Sequence, residues 1–162
     1  MEFCIILNAY ADLWSACWDS AFASDSWALS AHSSVRLGDV GPDWRPSTLL
    51  RRDLDRRQAL VEIDALAALM LGVTADELCT IYRTQFAVLH GYDHGKYLYD
   101  ANGRLVPVEL QRLWAGKGDT LAADELTTEN VSGSTYTYKL PFTRYDREID
   151  MRAAYAEFES RL

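Results

Sequence analysis

At 162 residues the chain has the length of one domain and enough material for a sizeable core. It is 49% hydrophobic and 25% charged, an ordinary globular balance that excludes disordered and fibrous classes. A formal net charge of -8 excludes polyanion binding by bulk field, so any nucleic-acid contact needs a local basic face.

Taken in chain order, Phe3, Ile6, Leu7, Tyr10, Leu13, Trp14, Cys17 and Trp18 recur at steps of three and four, which predicts an amphipathic helix from residue 2 to about 18. Its opening, Met1-Glu2-Phe3-Cys4-Ile5-Ile6-Leu7, has no basic leader and no cleavage site. It reads as a helix or strand exposed by cutting a longer protein rather than as a signal peptide. Asp19 to Pro46 reads as an irregular connection pinned by Trp27, Leu37 and Trp44, with a turn at Gly41-Pro42-Asp43. A strong helix follows from about Leu50 to Leu71. Its second half is apolar almost all round, which predicts a central, buried helix stopped by Gly72. Thr74-Ala75-Asp76-Glu77 is a capping box that starts the next helix through Leu78, Ile81, Tyr82 and toward Phe86.

His90 to His94 reads as a polar loop. Tyr97-Leu98-Tyr99 and Arg104-Leu105-Val106 flank Asp100-Ala101-Asn102-Gly103, a tight hairpin turn. Pro107 to Trp114 predicts a short helix ended by Gly116. Asp119 to Ser134 is loop-like with a helical turn at Ala122 to Leu126, and Thr135 to Leu140 alternates as a strand. The last helix runs from about Asp146 to Leu162 with Met151, Tyr155, Phe158 and Leu162 as its apolar stripe. The expected fold is therefore mainly α with a small antiparallel β element (α+β), one domain over 1–162, with a helical core around residues 50–86 and a C-terminal helix. Leu60, Ile63, Leu66, Leu69, Leu78, Ile81, Tyr82, Tyr155 and Phe158 are the expected core.

The chemistry-bearing residues form no complete catalytic set. Cys4, Cys17 and Cys79 are irregularly spaced, which reads as reduced thiols of a cytoplasmic protein rather than a disulfide framework. Asp100 to Gly103 has part of a calcium-loop pattern with Glu109 at the closing distance, but Leu98 holds the first ligand position, so a plain turn is the reading. His90 and His94 have zinc-like spacing without a paired Cys-x-x-Cys, and Cys79 reads as core. No metal site is expected. Glu62 and Asp64 interrupt the most apolar helix. They read either as acid/base groups or as partners of an arginine such as Arg83 or a tyrosine hydroxyl. In Arg51-Arg52-Asp53-Leu54-Asp55-Arg56-Arg57, Asp53–Arg57 and Arg51–Asp55 pair along the helix. Arg52 and Arg56 share a face without such a partner, giving either a clamp for a phosphate or an acidic neighbour, or a solvated face. No stretch approaches the roughly 20 apolar residues of a membrane span. Pro42-Asp43 occurs without any Glu-x-Lys, and no Asn-Pro-Pro-Tyr or Asp-Pro-Pro-Tyr occurs. The nuclease core and the base-flipping pocket of an adenine methylase are therefore both missing.

The stretch from Ala59 through Leu71-Gly72-Val73-Thr74-Ala75-Asp76-Glu77-Leu78 to Phe86 resembles the C-terminal region of large actinobacterial restriction-modification methylases. Tyr99 to Pro107, Gly133 to Phe142 and Asp146 to Tyr155 are similar to the same region in the same order. The resemblance runs from about residue 3 to the end. It implies a C-terminal accessory domain of a single-chain adenine-N6 methylase, with no catalytic residue carried over and S-adenosylmethionine bound by the parent protein, not by this chain. The leading expectation is thus a non-catalytic domain that helps recognise DNA or braces the methylase body. Arg36, Arg45, Arg52 and Arg56 are candidate phosphate contacts on double-stranded DNA. The rivals are a protein–protein docking or dimerisation module, favoured by the acidity and the surplus of Trp and Tyr, and a small stand-alone enzyme using Glu62, Asp64 or the His90–His94 segment.

Overall fold

The computed structural model describes residues 10–29, 40–45, 49–129 and 133–162. Among them are six α-helices, α1 (Ala11–Cys17), α2 (Asp53–Met70), α3 (Ala75–Gln85), α4 (Ala87–Gly95), α5 (Val108–Lys117) and α6 (Arg147–Arg161). One two-stranded sheet pairs β1 (Thr127–Glu129) antiparallel with β2 (Thr135–Thr137), Thr128 opposite Tyr136. The mainly α architecture with a small antiparallel β element is as expected. The expected opening helix is described only from Tyr10 onward; Arg36 and Leu37 lie outside the described residues. No described helix is long and apolar enough to cross a membrane.

Local signals account for the ends of α2 and α3. Gly72 takes φ +71, and the amides of Gly72 and Val73 bond back to Leu69 and Ala68, closing α2 with a Schellman motif. Thr74 then caps α3. Its hydroxyl accepts from the Glu77 amide, and the Glu77 carboxylate accepts from the Thr74 amide at 2.9 Å. Two expectations fail in the middle of the chain. His90 to His94 is not a loop but the body of α4, and α5 runs through Gly116 to stop at Gly118, which has φ +62.

Two apolar clusters build the core. Val61, Cys79, Tyr82 and Met151 join α2, α3 and α6; Leu98, Val106, Leu110, Leu121, Leu126 and Phe142 fill the β-side half. The Asn102-Gly103 turn ties the halves together. Gly103, at φ +77, offers its carbonyl to the Leu54 amide (2.9 Å), and the Leu105 amide donates to Asp53 (3.0 Å). The start of α2 is thus satisfied by the hairpin rather than by a capping side chain.

The buried face of α2 is not the expected one. Leu54, Asp55, Gln58, Val61, Glu62, Ala65 and Ala68 face inward, while Leu60 (56% exposed), Ile63 (61%) and Leu66 face out, as does Ile81 on α3. Leu69, Leu78, Tyr155 and Phe158 are only half-buried, and of the expected core residues Tyr82 alone is buried. The physical reason is the packing of α6 along α2. Arg147, Asp150, Met151 and Ala154 are the residues α6 buries, and its charged pair demands the polar side of α2. Small residues, Ala65 and Ala68, let the two helices approach.

Candidate functional site

The outward turn of α2 leaves an apolar surface. Leu60, Ile63, Ala67 and Leu71 recur at steps of three and four along the helix, with Met70 beside them. On one flank this stripe opens into a groove of about 280 Å³. Leu60 and Asp64 of α2 form one wall, Leu78 and Ile81 of α3 with Phe86 and Leu89 form the other, and Tyr82, Met151 and Arg147 lie at its base. Phe86 of this wall and Val88 two residues on are themselves exposed. Exposed large apolar side chains gathered on one helix face are the kind of surface that marks an interaction site.

A buried polar chain lies beneath. Arg147 donates from Nε to Asp93 Oδ2 at 2.6 Å, and the Tyr82 hydroxyl donates to the same oxygen at 2.9 Å. Burial, with the bond to Asp93 second, raises the Tyr82 hydroxyl well above its ordinary pKa. Arg57, equally buried, donates to Asp150 at 2.6 Å. Glu62 accepts from Gln58 and from the amides of Ala28 and Leu29, both at 3.0 Å. It thereby holds the Ala28–Leu29 segment onto α2.

Asp64 differs from all of these. Among the described residues its one charged neighbour is Arg147, at 3.9 Å, and it accepts no hydrogen bond from any of them. Burial of its surroundings pushes its carboxyl above the ordinary value, with Arg147 pulling partly the other way. It is a half-exposed carboxylate beside apolar walls, with no hydrogen bond from a described residue.

The other residues singled out in the sequence are scattered. Arg52 forks onto Asp55 with two bonds of 2.8 Å, and Arg56 reaches Asp53 at 2.5 Å. The expectation that these two arginines lack partners is therefore corrected. So is the Asp53–Arg57 pair, since Arg57 points inward to Asp150. Arg45 lies beside Asp43 at 3.7 Å, well exposed. Arg83 binds Glu148, not Glu62 or Asp64. Glu62 and Asp64 take different faces of α2, one buried and one at the groove. His90 and His94 stack at 4.1 Å between centroids, and His94 Nδ1 lies 2.8 Å from the His90 carbonyl. Cys79 is fully buried, its thiol pushed up by burial. Asp100 takes four donors: the amides of Asn102, Arg104 and Lys139 and the Tyr136 hydroxyl. Leu98 belongs to the core. That is the bonding of a turn hub. Sequence reading missed Asp93 and Arg147, whose partners lie 54 residues apart in the chain.

The chain matches no protein-family model, no curated protein and no solved structure.

Proposed function

We propose that this chain is a non-catalytic docking module, the accessory part of a larger protein. By the resemblance of its sequence, that protein is a DNA restriction-modification methylase whose methylating centre and S-adenosylmethionine site lie in its other part. The observation that carries the reading is the outward apolar face of α2 continuing into the groove. Each large aliphatic side chain left in water forgoes about 1.5–3 kcal/mol of burial. Covering several of them on one partner surface supplies the centre of an interface. On this reading the chain works in the cytoplasm and its partner is the methylase body.

Co-elution on gel filtration of this chain with the methylase body, made as separate polypeptides, tests the proposal. Leu60→Asp with Ile63→Asp is expected to abolish co-elution, and Arg45→Glu with Arg56→Glu to leave it intact. Co-elution that survives the first pair sinks the reading. Direct DNA contact is the second reading, favoured by the exposure of Arg45 and Arg56. Mixed-sequence duplex titrated at low and moderate salt, with binding lost in Arg45→Glu/Arg56→Glu, would establish it. Arg52 is a poorer probe, because its removal strands the buried Asp55.

A further inference from the structure

Resting on the docking reading, we propose that the groove takes an amphipathic helix of the partner protein, and that one lysine or arginine on that helix pairs with Asp64. Arg147 is committed to Asp93 at 2.6 Å and stands 3.9 Å from Asp64, so among the described residues the groove's carboxylate has no hydrogen-bonded counterion. An apolar side chain laid over Asp64 would bury it with no hydrogen bond and only the 3.9 Å contact to Arg147, which is costly; a cation laid over it is attracted within low-dielectric walls. The raised carboxyl of Asp64 is the expected behaviour of a group waiting for such a partner.

Geometry selects a helix. The walls are helices whose backbone groups are bonded internally, so the groove offers no open strand edge for a peptide to extend. The exposed stripe from Leu60 to Leu71 spans 12 residues, about 16 Å of helix from first to last, a match to roughly three turns of a partner helix with anchors at three- and four-residue steps. A second copy of this chain fits less well. Its own outer stripe, Leu60, Ile63, Asp64, Ala67, Met70 and Leu71, carries no cation, and each copy brings a net charge of -8.

The test uses a fluorescent leucine–lysine amphipathic peptide of about 18 residues, roughly five helical turns, and a twin with glutamate in place of lysine. Anisotropy at moderate salt is expected to show the lysine peptide binding the full chain and the glutamate twin failing. Asp64→Asn should weaken the lysine peptide about tenfold, the effect of losing one charged hydrogen bond. Asp64→Lys should recover the glutamate twin, and Leu60→Asp should abolish binding of both. Equal binding to wild type and Asp64→Asn overturns the charge pairing. It leaves the docking reading standing if Leu60→Asp still abolishes binding. Undiminished binding to Leu60→Asp overturns both. No binding to wild type overturns the pairing and leaves the docking reading to the gel-filtration result.

Discussion

Asp93 and Asp64 are both carboxylates near Arg147, and they do opposite work. Asp93 is buried and shares one oxygen between Arg147 and Tyr82. Asp93→Ala leaves a buried guanidinium without its closest counterion, so unfolding in urea is expected to lose about 3–5 kcal/mol. Asp64 is half-exposed and raised in pKa. Its folded value lies above the unfolded one, so the native state holds the proton more tightly. Stability then falls as pH rises from the ordinary 3.8 through the raised value, and at neutral pH the ionised group is a net cost to the fold. Asp64→Asn should therefore melt at or above the wild-type temperature at pH 7. A clearly lower melting temperature would make the Arg147 contact structural and remove Asp64 as a group reserved for a partner.

At the scale of elements, local chemistry was readable where it acts within a few residues. The Thr74–Glu77 box caps α3 as its spacing says, and Thr74→Ala should cost about 1 kcal/mol in the same urea assay. The Asn102-Gly103 turn is also where sequence puts it. Its seating on α2 is not visible there: a Cβ on Gly103 would come 3.0 Å from Leu54 Cβ, at φ +77. Gly103→Ala is expected to lose at least about 1–2 kcal/mol from the backbone alone, with more from the contact. The length of α2 was legible and its phase was not. A helix apolar nearly all round gives no direction to its own burial; Arg57 turned inward because Asp150 of α6, 93 residues on, requires it. Long-range pairing of this kind also hid α4. Gly91 and Gly95 lower its helix propensity, while Asp93 within it is held by Tyr82 and Arg147. Glu62 and Asp64 stand out in the sequence together, as carboxylates in an apolar helix; periodicity did not separate Glu62, buried under Gln58 and two amides, from Asp64, half-exposed beside Arg147.

Across the whole molecule, apolar clusters fill the core, yet polar groups share the seam of α2 with α6 while large aliphatics of α2 remain outside. Gln58, Glu62, Arg57 and Asp150 occupy the seam between α2, α6 and the N-terminal connection, while Leu60, Ile63 and Met70 face away. A chain built only for its own stability would gain by the reverse arrangement. The arrangement makes sense if another surface completes the apolar face, and it turns the net charge of -8 from an obstacle to DNA binding into a means of choosing a basic partner.

The most direct measurement is the urea unfolding of Leu60→Asp/Ile63→Asp beside wild type. If these side chains belong to a docking face, each substitution shifts the unfolding free energy by no more than about 0.5 kcal/mol. A loss of about 3 kcal/mol or more for the pair would mean that they pack into this chain's own core, and the docking surface would not exist.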